Sequence, residues 1–376
     1  MALRLPSVDD FSDRLRGPQV TSRVGRWLGI MFTVALLTGV WSHLQYSPGW
    51  LPLPTRPVRL YQVTQGLHVV SGSVCVPLLL VKLWSVFPRL FLKPSRNARE
   101  LVVHLLERLS ILVLVSAAIF QLSTGLMNSA QWYPWGFSFR TMHYAVAWVA
   151  ITALVVHVAV KLPVIRRSLA TELPPPSGRE LSRRGLLRTT WAACGLAVLA
   201  TAGATLEPLR RVSVFAVRSG NGPQGLPVNR SAESAGVLGL ADDPAWRLTV
   251  TYAGRTTSYA RADLEAMEQT TEDLPIACVE GWSAMGTWTG VRLADLVRAV
   301  GAPVRSRVFL RSLQQGGSFS TSELPAEFVE DPLTLLALSL SGEPLDLDHG
   351  FPCRLIAPAR PGVMQTKWLH RIEVLS

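Results

Sequence analysis

The residues of this chain best suited to hold a metal are its histidines and cysteines. His143 and His157 stand fourteen residues apart in an apolar stretch. On a helix fourteen residues rise about 21 Å and turn about 1400°, roughly 40° short of four full turns. The two imidazoles then share one face, one near each surface of a bilayer. Two b-type haems stacked across a membrane need that arrangement, each completed by an imidazole from another helix. By depth, His104 is the natural partner of His157, and His68 or His43 that of His143. Polar anchoring at the headgroup boundary is the plain alternative for any one of these histidines. An ionisable side chain at such depth is costly and calls for a partner. Glu107 and Arg108, beside His104, read as an ion pair at the interface.

Of the four cysteines, Cys75 and Cys194 fall in apolar runs and read as small apolar residues. Cys278 differs. It ends a strand-like run in "DLPIACVEGWSAMGTWTGVRLADLV" (273–297), followed by a Gly/Trp-rich loop and then a helix. Sites gather where a strand ends in such a loop. A lone thiolate there can be a nucleophile or a soft metal ligand. On composition three further readings stay open. They are a disulfide with Cys353, nucleophilic catalysis with His349 or His370 as base, and a zinc site lacking finger spacing.

The elements that position these residues follow from hydropathy. Mean hydropathy is +0.26 and 48% of the 376 residues are hydrophobic. Five stretches, near 27–46, 65–86, 104–126, 142–162 and 189–205, are long and apolar enough to cross a ~30 Å hydrocarbon core. The net charge of +11 divides into +14 over residues 1–205 and −3 over 206–376. The excess positive charge therefore flanks apolar runs, which argues for the lipid bilayer and against nucleic acid as a partner. The N-terminal segment and the second and fourth connections hold 16 Lys and Arg; the first and third hold 3. Positive residues stay inside, so the N-terminus is cytoplasmic and residues 206–376 lie outside. The expected organisation is a segment 1–26, four spans over 27–163, a cytoplasmic linker 164–188, a fifth span 189–205, and an outer domain 206–376. In that domain runs such as "WRLTVTY" and "SRVFLRS" read as strands, with "RADLEAM" and "RLADLVRAV" as short helices. The fold class is thus an all-α multi-pass bundle followed by an α+β domain.

Two resemblances sharpen this. The stretches "FTVALLTGVWSHL" (32–44), "RLYQVTQGLHVVSG" (59–72), "PLLLVKLW" (77–84), "STGLMN" (123–128) and "HVAVKLP" (157–163) resemble bacterial integral-membrane cytochromes b. That resemblance implies electron exchange between membrane quinone and the outer domain. "CVEGWS…WTGVRLADL" and "DPLTLLALSLSGEPLDLDHGFPCRLIAPARPGVMQTKWLHRIEV" (331–374) resemble the sulfite-oxidase-type molybdopterin domain, nearest the branch of the periplasmic methionine-sulfoxide reductase catalytic subunit. This resemblance implies a sulfite-oxidase-like fold over about residues 225–376. It implies Cys278 as molybdenum ligand, and His349, Arg354, Lys367 and Asn229 as contacts of the pterin and its phosphate. Glu280, Trp282 and Ser283 would shape the pocket for a small-molecule substrate.

Two departures stand out. Met364 occupies a position that is often Lys or Arg in the family, so one cofactor or anion contact is lost or moved. Eukaryotic sulfite oxidases follow the metal cysteine with an Asn-Arg pair, where this chain has "VEGWS" and no arginine before Arg292.

The expected activity is that of a membrane-bound molybdenum oxidoreductase in a bacterial cytoplasmic membrane, its active site outside. The alternative is a haem-containing membrane protein whose outer domain is a metal-free thiol enzyme or a partner-binding module. "SRRGLLR" (182–188) precedes the fifth apolar run and reads as an internal twin-arginine signal, the route that exports folded, cofactor-loaded domains; a plain positive flank is its simpler reading.

Overall fold

The computed structural model describes residues 11, 15–46, 51–91, 97–172, 182–216, 222–317 and 319–375. Most of the segment expected over 1–26 before Leu15, the centre of the linker (173–181) and the start of the Gly/Pro-rich break at 218–229 lie outside the described residues. The chain divides into two compact units: residues 1–39, 67–202 and 212–215, and residues 40–66, 203–211 and 216–376.

The first unit is helical. Its helices are α1 (Pro18–Leu44), α2 (Leu60–Val86), α3 (Ala98–Ser129), α4 (Phe139–Ala170) and α5 (Arg183–Thr201), α1 and α2 running on into the second unit. Among the described residues, five helical segments are long and apolar enough to cross a membrane. Each overlaps one expected stretch, but the helices run further. α3 and α4 have 32 residues each, about 48 Å of helix against a ~30 Å core, so their polar ends extend past the apolar stretch. Apolar side chains on the bundle are widely exposed, including Leu37, Leu112, Val155 and Leu196. A small interior forms where Val20 and Val24 of α1 meet Val74 and Leu78 of α2 and Cys194 of α5. α5 starts earlier than the expected span: Ser182 caps it, its Oγ accepting from Gly185 N at 3.1 Å, so Arg183 and Arg184 form its first turn.

The second unit is α+β. Its strands are β1 (Leu248–Tyr252), β2 (Arg255–Tyr259), β3 (Thr270–Ala277), β4 (Ser283–Arg292), β5 (Val308–Ser312), β6 (Thr321–Leu324), β7 (Leu335–Leu340), β8 (Glu343–Pro344), β9 (Arg354–Ile356) and β10 (Leu369–Val374). One sheet runs β2-β1-β10-β5-β6, with β1 and β10 parallel; the other runs β3-β4-β7-β8, with β9 also on β7. Buried alternation builds the main core from Leu248, Val250, Leu310, Ile372 and Leu355, closed by the helices Arg261–Ala266 and Leu293–Ala299. Leu53 belongs to this core, 2% exposed. Ala359 N donates to Val58 O at 3.0 Å, and Arg56 pairs bidentately with Asp331 at 2.7 and 3.1 Å. The connection between α1 and α2, placed by the sequence within the four-span domain over 27–163, is therefore part of the α+β unit. An apolar leucine in an otherwise short connection gains burial only there.

Candidate active site

The site is built on the β3–β4 hairpin. Ala277 pairs with Ser283, and residues 278–282 close the turn: Cys278 N donates to Trp282 O at 2.8 Å and Gly281 N to Cys278 O at 3.0 Å. The segment after Cys278 thus returns as a strand where a loop was expected, and the helix follows only after Arg292. A parallel bridge from Ala277 to Pro361 brings in the segment carrying Gly362, Gln365 and Lys367. Gly362 makes that approach possible, since a Cβ there would stand 2.7 Å from Ile276 Cγ2.

Cys278 then lies against a small cleft lined also by Asn229, Trp282, His349, Arg354 and Lys367. Five candidates scattered over residues 229–367 thus meet the thiol in one place. A second cleft, lined by Arg230, Ser312, Gln314 and Thr366 among others, shares Asn229, Gly362 and Lys367 with the first. Glu280 and Ser283 are not in the lining. Glu280 accepts from Trp282 Nε1 at 2.9 Å and so fixes that ring. Ser283 is buried, its Oγ accepting from Gln62 Nε2 at 3.1 Å. Met364 is buried in the turn Gly362–Met364 and outside both linings.

The cavity's charge is lopsided. Arg354 donates to His349 O and Gln365 O at 2.9 and 3.3 Å and lies 5.1 Å over the Trp288 ring; its Nε has no hydrogen-bond partner among the described residues. Burial lowers its pKa to about 9, leaving it charged at neutral pH. Lys367 Nζ donates to the carbonyls of Arg230 and Asp348 at 2.5 and 2.9 Å. Burial first, then Arg354, lowers its pKa to about 7. His349 Nε2 faces Pro223 O at 2.6 Å; a carbonyl only accepts, so Nε2 carries the proton and Nδ1 is the acceptor. Burial, with Arg354 and Lys367 nearby, keeps this ring neutral with a pKa of about 4. The nearest carboxylates are engaged locally: Asp348 accepts from Ala232 N and Asp346 from Asp348 N. A buried guanidinium and a buried amine about half protonated at neutral pH, with no carboxylate bonded to them among the described residues, therefore line the same cavity as the thiol. Such an arrangement is costly unless an anion completes it.

Other readings of the thiols separate here. Neither Cys353 nor Cys278 forms a disulfide, and Cys353 is fully buried, its thiol pushed up to about 12 by that burial. His370 lies on β10, outside both linings. Among the described residues no group of three or more His, Cys, Asp or Glu is arranged to hold a bare metal ion.

Comparison with known proteins decides the class. Residues 235–376 match the family model of the oxidoreductase molybdopterin-binding domain. The C-terminal part of the chain is a molybdopterin-binding oxidoreductase domain. The chain is also 32% identical over 112 residues to a protein of Azospira oryzae named as the putative protein-methionine-sulfoxide reductase subunit YedZ1, covering 30% of this chain and 42% of that one. It is 34% identical over 96 residues to rat mitochondrial sulfite oxidase, covering 24% and 18%. The sulfane dehydrogenase SoxCD of Paracoccus pantotrophus aligns at a TM-score of 0.32 with 21% identity, over 41% of this chain and 43% of that one. The chain thus spans less than half the length of each of these relatives.

In the helical unit the molybdopterin-binding domain is preceded by a second candidate site. The rings of His68 and His143 have centres 6.1 Å apart, their planes at 68°. His68 Nδ1 donates to Ala35 O at 2.8 Å. His143 Nδ1 lies 2.9 Å from Thr124 Oγ1, whose own proton goes to Phe120 O, so the imidazole donates. Both rings are held by Nδ1, which leaves Nε2 as the atom with a lone pair to offer. His43, the alternative partner, is in the last turn of α1 within the other unit; the ring opposite His143 is that of His68. His104 is exposed on α3, and no hydrogen bond or ring contact joins it to His157 among the described residues. Glu107 pairs with Lys161 of α4, where a pair with Arg108 was expected.

Sequence reasoning missed several residues that hold these sites. Gln65 Nε2 donates to Val279 O at 3.3 Å and Arg210 to Ser283 O at 2.9 Å, bracing the turn after Cys278. Gln65 lies in the stretch 59–72 that carries the cytochrome resemblance, and Arg210 at the start of the outer domain, but neither was read as a site residue.

Proposed function

We propose that this chain is a membrane-anchored molybdenum oxidoreductase that transfers an oxygen atom to or from a small substrate outside the cytoplasmic membrane and exchanges electrons with quinone through b-type haem. The observation that carries the reading is the cavity in which the Cys278 thiol faces Arg354 and Lys367, cations with no carboxylate bonded to them among the described residues. These residues fit an anionic pterin cofactor. Cys278 would ligate the metal, Arg354 and Lys367 would take the phosphate end, and His349 and Asn229 would hydrogen-bond the pterin. The bound group would supply two-electron oxygen-atom chemistry; the chain orients it and keeps its phosphate out of water. Trp282, fixed by Glu280, forms the wall beside the thiol.

The helical unit supports the electron path. Two imidazoles bound to one metal through bonds of about 2.0–2.1 Å have ring centres on the order of 6 Å apart, and the His68–His143 separation of 6.1 Å suits that span. The topology has support as well. Residues 51–60, the first outer connection, share a compact unit with residues 216–376, as five crossings require. Arg183 and Arg184 at the start of α5 suit a twin-arginine signal for a domain that folds around its cofactor before export.

The test is metal analysis of the purified full chain together with a substrate screen. Molybdenum near one per chain, lost in Cys278→Ser, is the expected result, with turnover of sulfoxides, N-oxides or sulfite using an artificial electron donor or acceptor. A fully matured preparation without molybdenum overturns the reading. Conversion of Arg183 and Arg184 to lysine should leave the outer domain inside the cell, read by protease accessibility; normal export rejects the signal.

A further inference from the structure

The His68–His143 site has a counterpart one step along the same helices. Fourteen residues from His143 on α4 is His157, and fourteen from His68 on α2 is Lys82. The same step on α1 carries Ala35 to Thr21 and Gly39 to Gly25, and on α3 it carries Thr124 to Ser110 and Gln121 to Glu107. On α1 and α2 the contacts repeat with the residues; on α3 they do not, since Thr124 meets His143 Nδ1 at 2.9 Å whereas Ser110 donates to Glu107 O. His68 Nδ1 donates to Ala35 O at 2.8 Å, and a Cβ on Gly39 would stand 3.1 Å from the His68 ring. Lys82 Nζ donates to Thr21 O at 3.0 Å, and a Cβ on Gly25 would stand 2.9 Å from that nitrogen. On the facing pair Gln121 donates to the backbone of His143, while Glu107 pairs with Lys161, one turn beyond His157. His157 lies within electrostatic range of both Lys82 and Glu107.

Fourteen residues are close to four turns, so each helix presents the same face about 21 Å further on. The α1–α2 side of the cradle therefore occurs twice, with the same glycine and carbonyl on α1, and a histidine stands at both levels on α4. What changes is the group on α2, an imidazole at one level and an amine at the other. The geometry points to a second haem held by His157 and Lys82, a histidine–lysine pair in place of the expected His104–His157. This rests on the haem reading given above.

The chemistry of the amine suits the role. A neutral lysine amine has one lone pair and two N–H bonds. The lone pair can bind iron while one N–H donates to Thr21 O, as His68 uses Nδ1–H for Ala35 O and keeps Nε2. A metal takes its nitrogen ligand unprotonated, so coordination removes the need for a counter-charge at this depth. Glu107 could not supply that charge freely, being paired with Lys161.

The experiment counts haem per chain in detergent-purified full-length protein by the pyridine haemochrome assay, with low-temperature electron paramagnetic resonance of the oxidised form. The wild type is expected to hold about two haems. Lys82→Leu and His157→Ala should each lower the count to about one and remove the same resonance, while His104→Ala keeps both. Lys82→His should restore about two haems, with that resonance moved to the bis-histidine type; this variant separates lost ligation from failed folding. A count unchanged in Lys82→Leu, or lowered in His104→Ala, overturns the assignment. A wild type with no haem removes the haem reading itself, and the molybdenum content of the same preparation judges the outer domain independently.

Discussion

The two candidate sites solve one problem in opposite ways. On the proposed reading, each must aim a metal-binding atom before any metal arrives. The helical unit does so by repetition along the chain. A ring or amine on α2 leans on a carbonyl of α1 beside a glycine, and one helical period sets the geometry. The α+β unit does so by convergence. Cys278 comes from a hairpin turn, His349 from the turn before β9, Arg354 from the first residue of β9, and Lys367 from the approach to β10, with Gly362 permitting the close pass. The electrostatics differ too. The helical site uses donors that can be neutral, as low-dielectric surroundings demand. The α+β site keeps buried cations without bonded carboxylates among the described residues, which stores a demand for an anion. Repetition makes a site tolerant of changes elsewhere but sensitive at the repeated glycine; convergence concentrates the sensitivity in the charges.

The strongest break in this contrast is expected at Arg354. Its two carbonyl partners and the Trp288 face demand a planar, charged side chain. Arg354→Met should lower the molybdenum content of the purified chain at least about tenfold, and Arg354→Lys should not restore it, because one ammonium cannot reproduce the fork. The visible spectrum of the helical unit should be unchanged in both variants. Loading that survives either substitution would mean that the cavity's charge is not what holds the cofactor.

A comparable break in the helical unit needs no charge. Gly39→Val would drive side-chain atoms into the His68 ring, whereas Gly29, with nothing within 4 Å of a Cβ, should accept alanine at a change within about 1 kcal/mol. The expected outcome is a lost or shifted haem spectrum in the first variant, a normal one in the second, and normal molybdenum in both.

Lys367 gives a smaller and pH-dependent effect. Its amine has a pKa of about 7 when folded against 10.5 for the free side chain, burial being the first cause and Arg354 the next. The unfolded chain therefore binds more protons between these values, and stability must rise with pH across about 7 to 10.5. Cofactor-free protein should show urea midpoints that climb from pH 7 to pH 9 more steeply than those of Lys367→Met. The anionic cofactor should remove the difference by keeping the amine charged. Equal slopes without cofactor would mean that the amine is solvated.

How much of this was legible in the sequence also divides between the units. Five apolar stretches and the fourteen-residue step from His143 to His157 were readable, because helical period and lipid thickness are local properties. The same step from His68 to Lys82 was equally visible, but a search restricted to imidazoles passes over an amine. The α+β class was readable from alternation. The composition "GWSAMGTWTG" misled, since glycine reads as loop punctuation, yet Gly290 sits inside β4 where a Cβ would meet Leu336 O at 2.0 Å. The meeting of Cys278 with residues 70–90 positions later had no local signal and came only through resemblance. The bracing of its turn by Gln65 and Arg210 had no local signal, and the resemblance covering Gln65 pointed to the membrane part alone.

The membership of residues 51–60 in the α+β unit gives the finest test. Arg56 is half exposed, while the Asp331 carboxylate is 5% exposed and also accepts from Leu333 N at 2.9 Å. Removing the guanidinium leaves that carboxylate buried but still bonded, so Arg56→Ala should cost only about 1–2 kcal/mol. Leu53→Ala empties part of a packed core and should cost about 2–3 kcal/mol more than a leucine-to-alanine change at exposed Leu37 of the helical unit. Denaturant unfolding followed by tryptophan fluorescence of the α+β unit reads both. If the connection is an integral part of that unit, the two losses appear in its transition alone and leave the haem spectrum intact. If the connection is only a tether, neither variant moves that transition, and the division between repeated and converging architecture would fall at residue 216 instead of within α1 and α2.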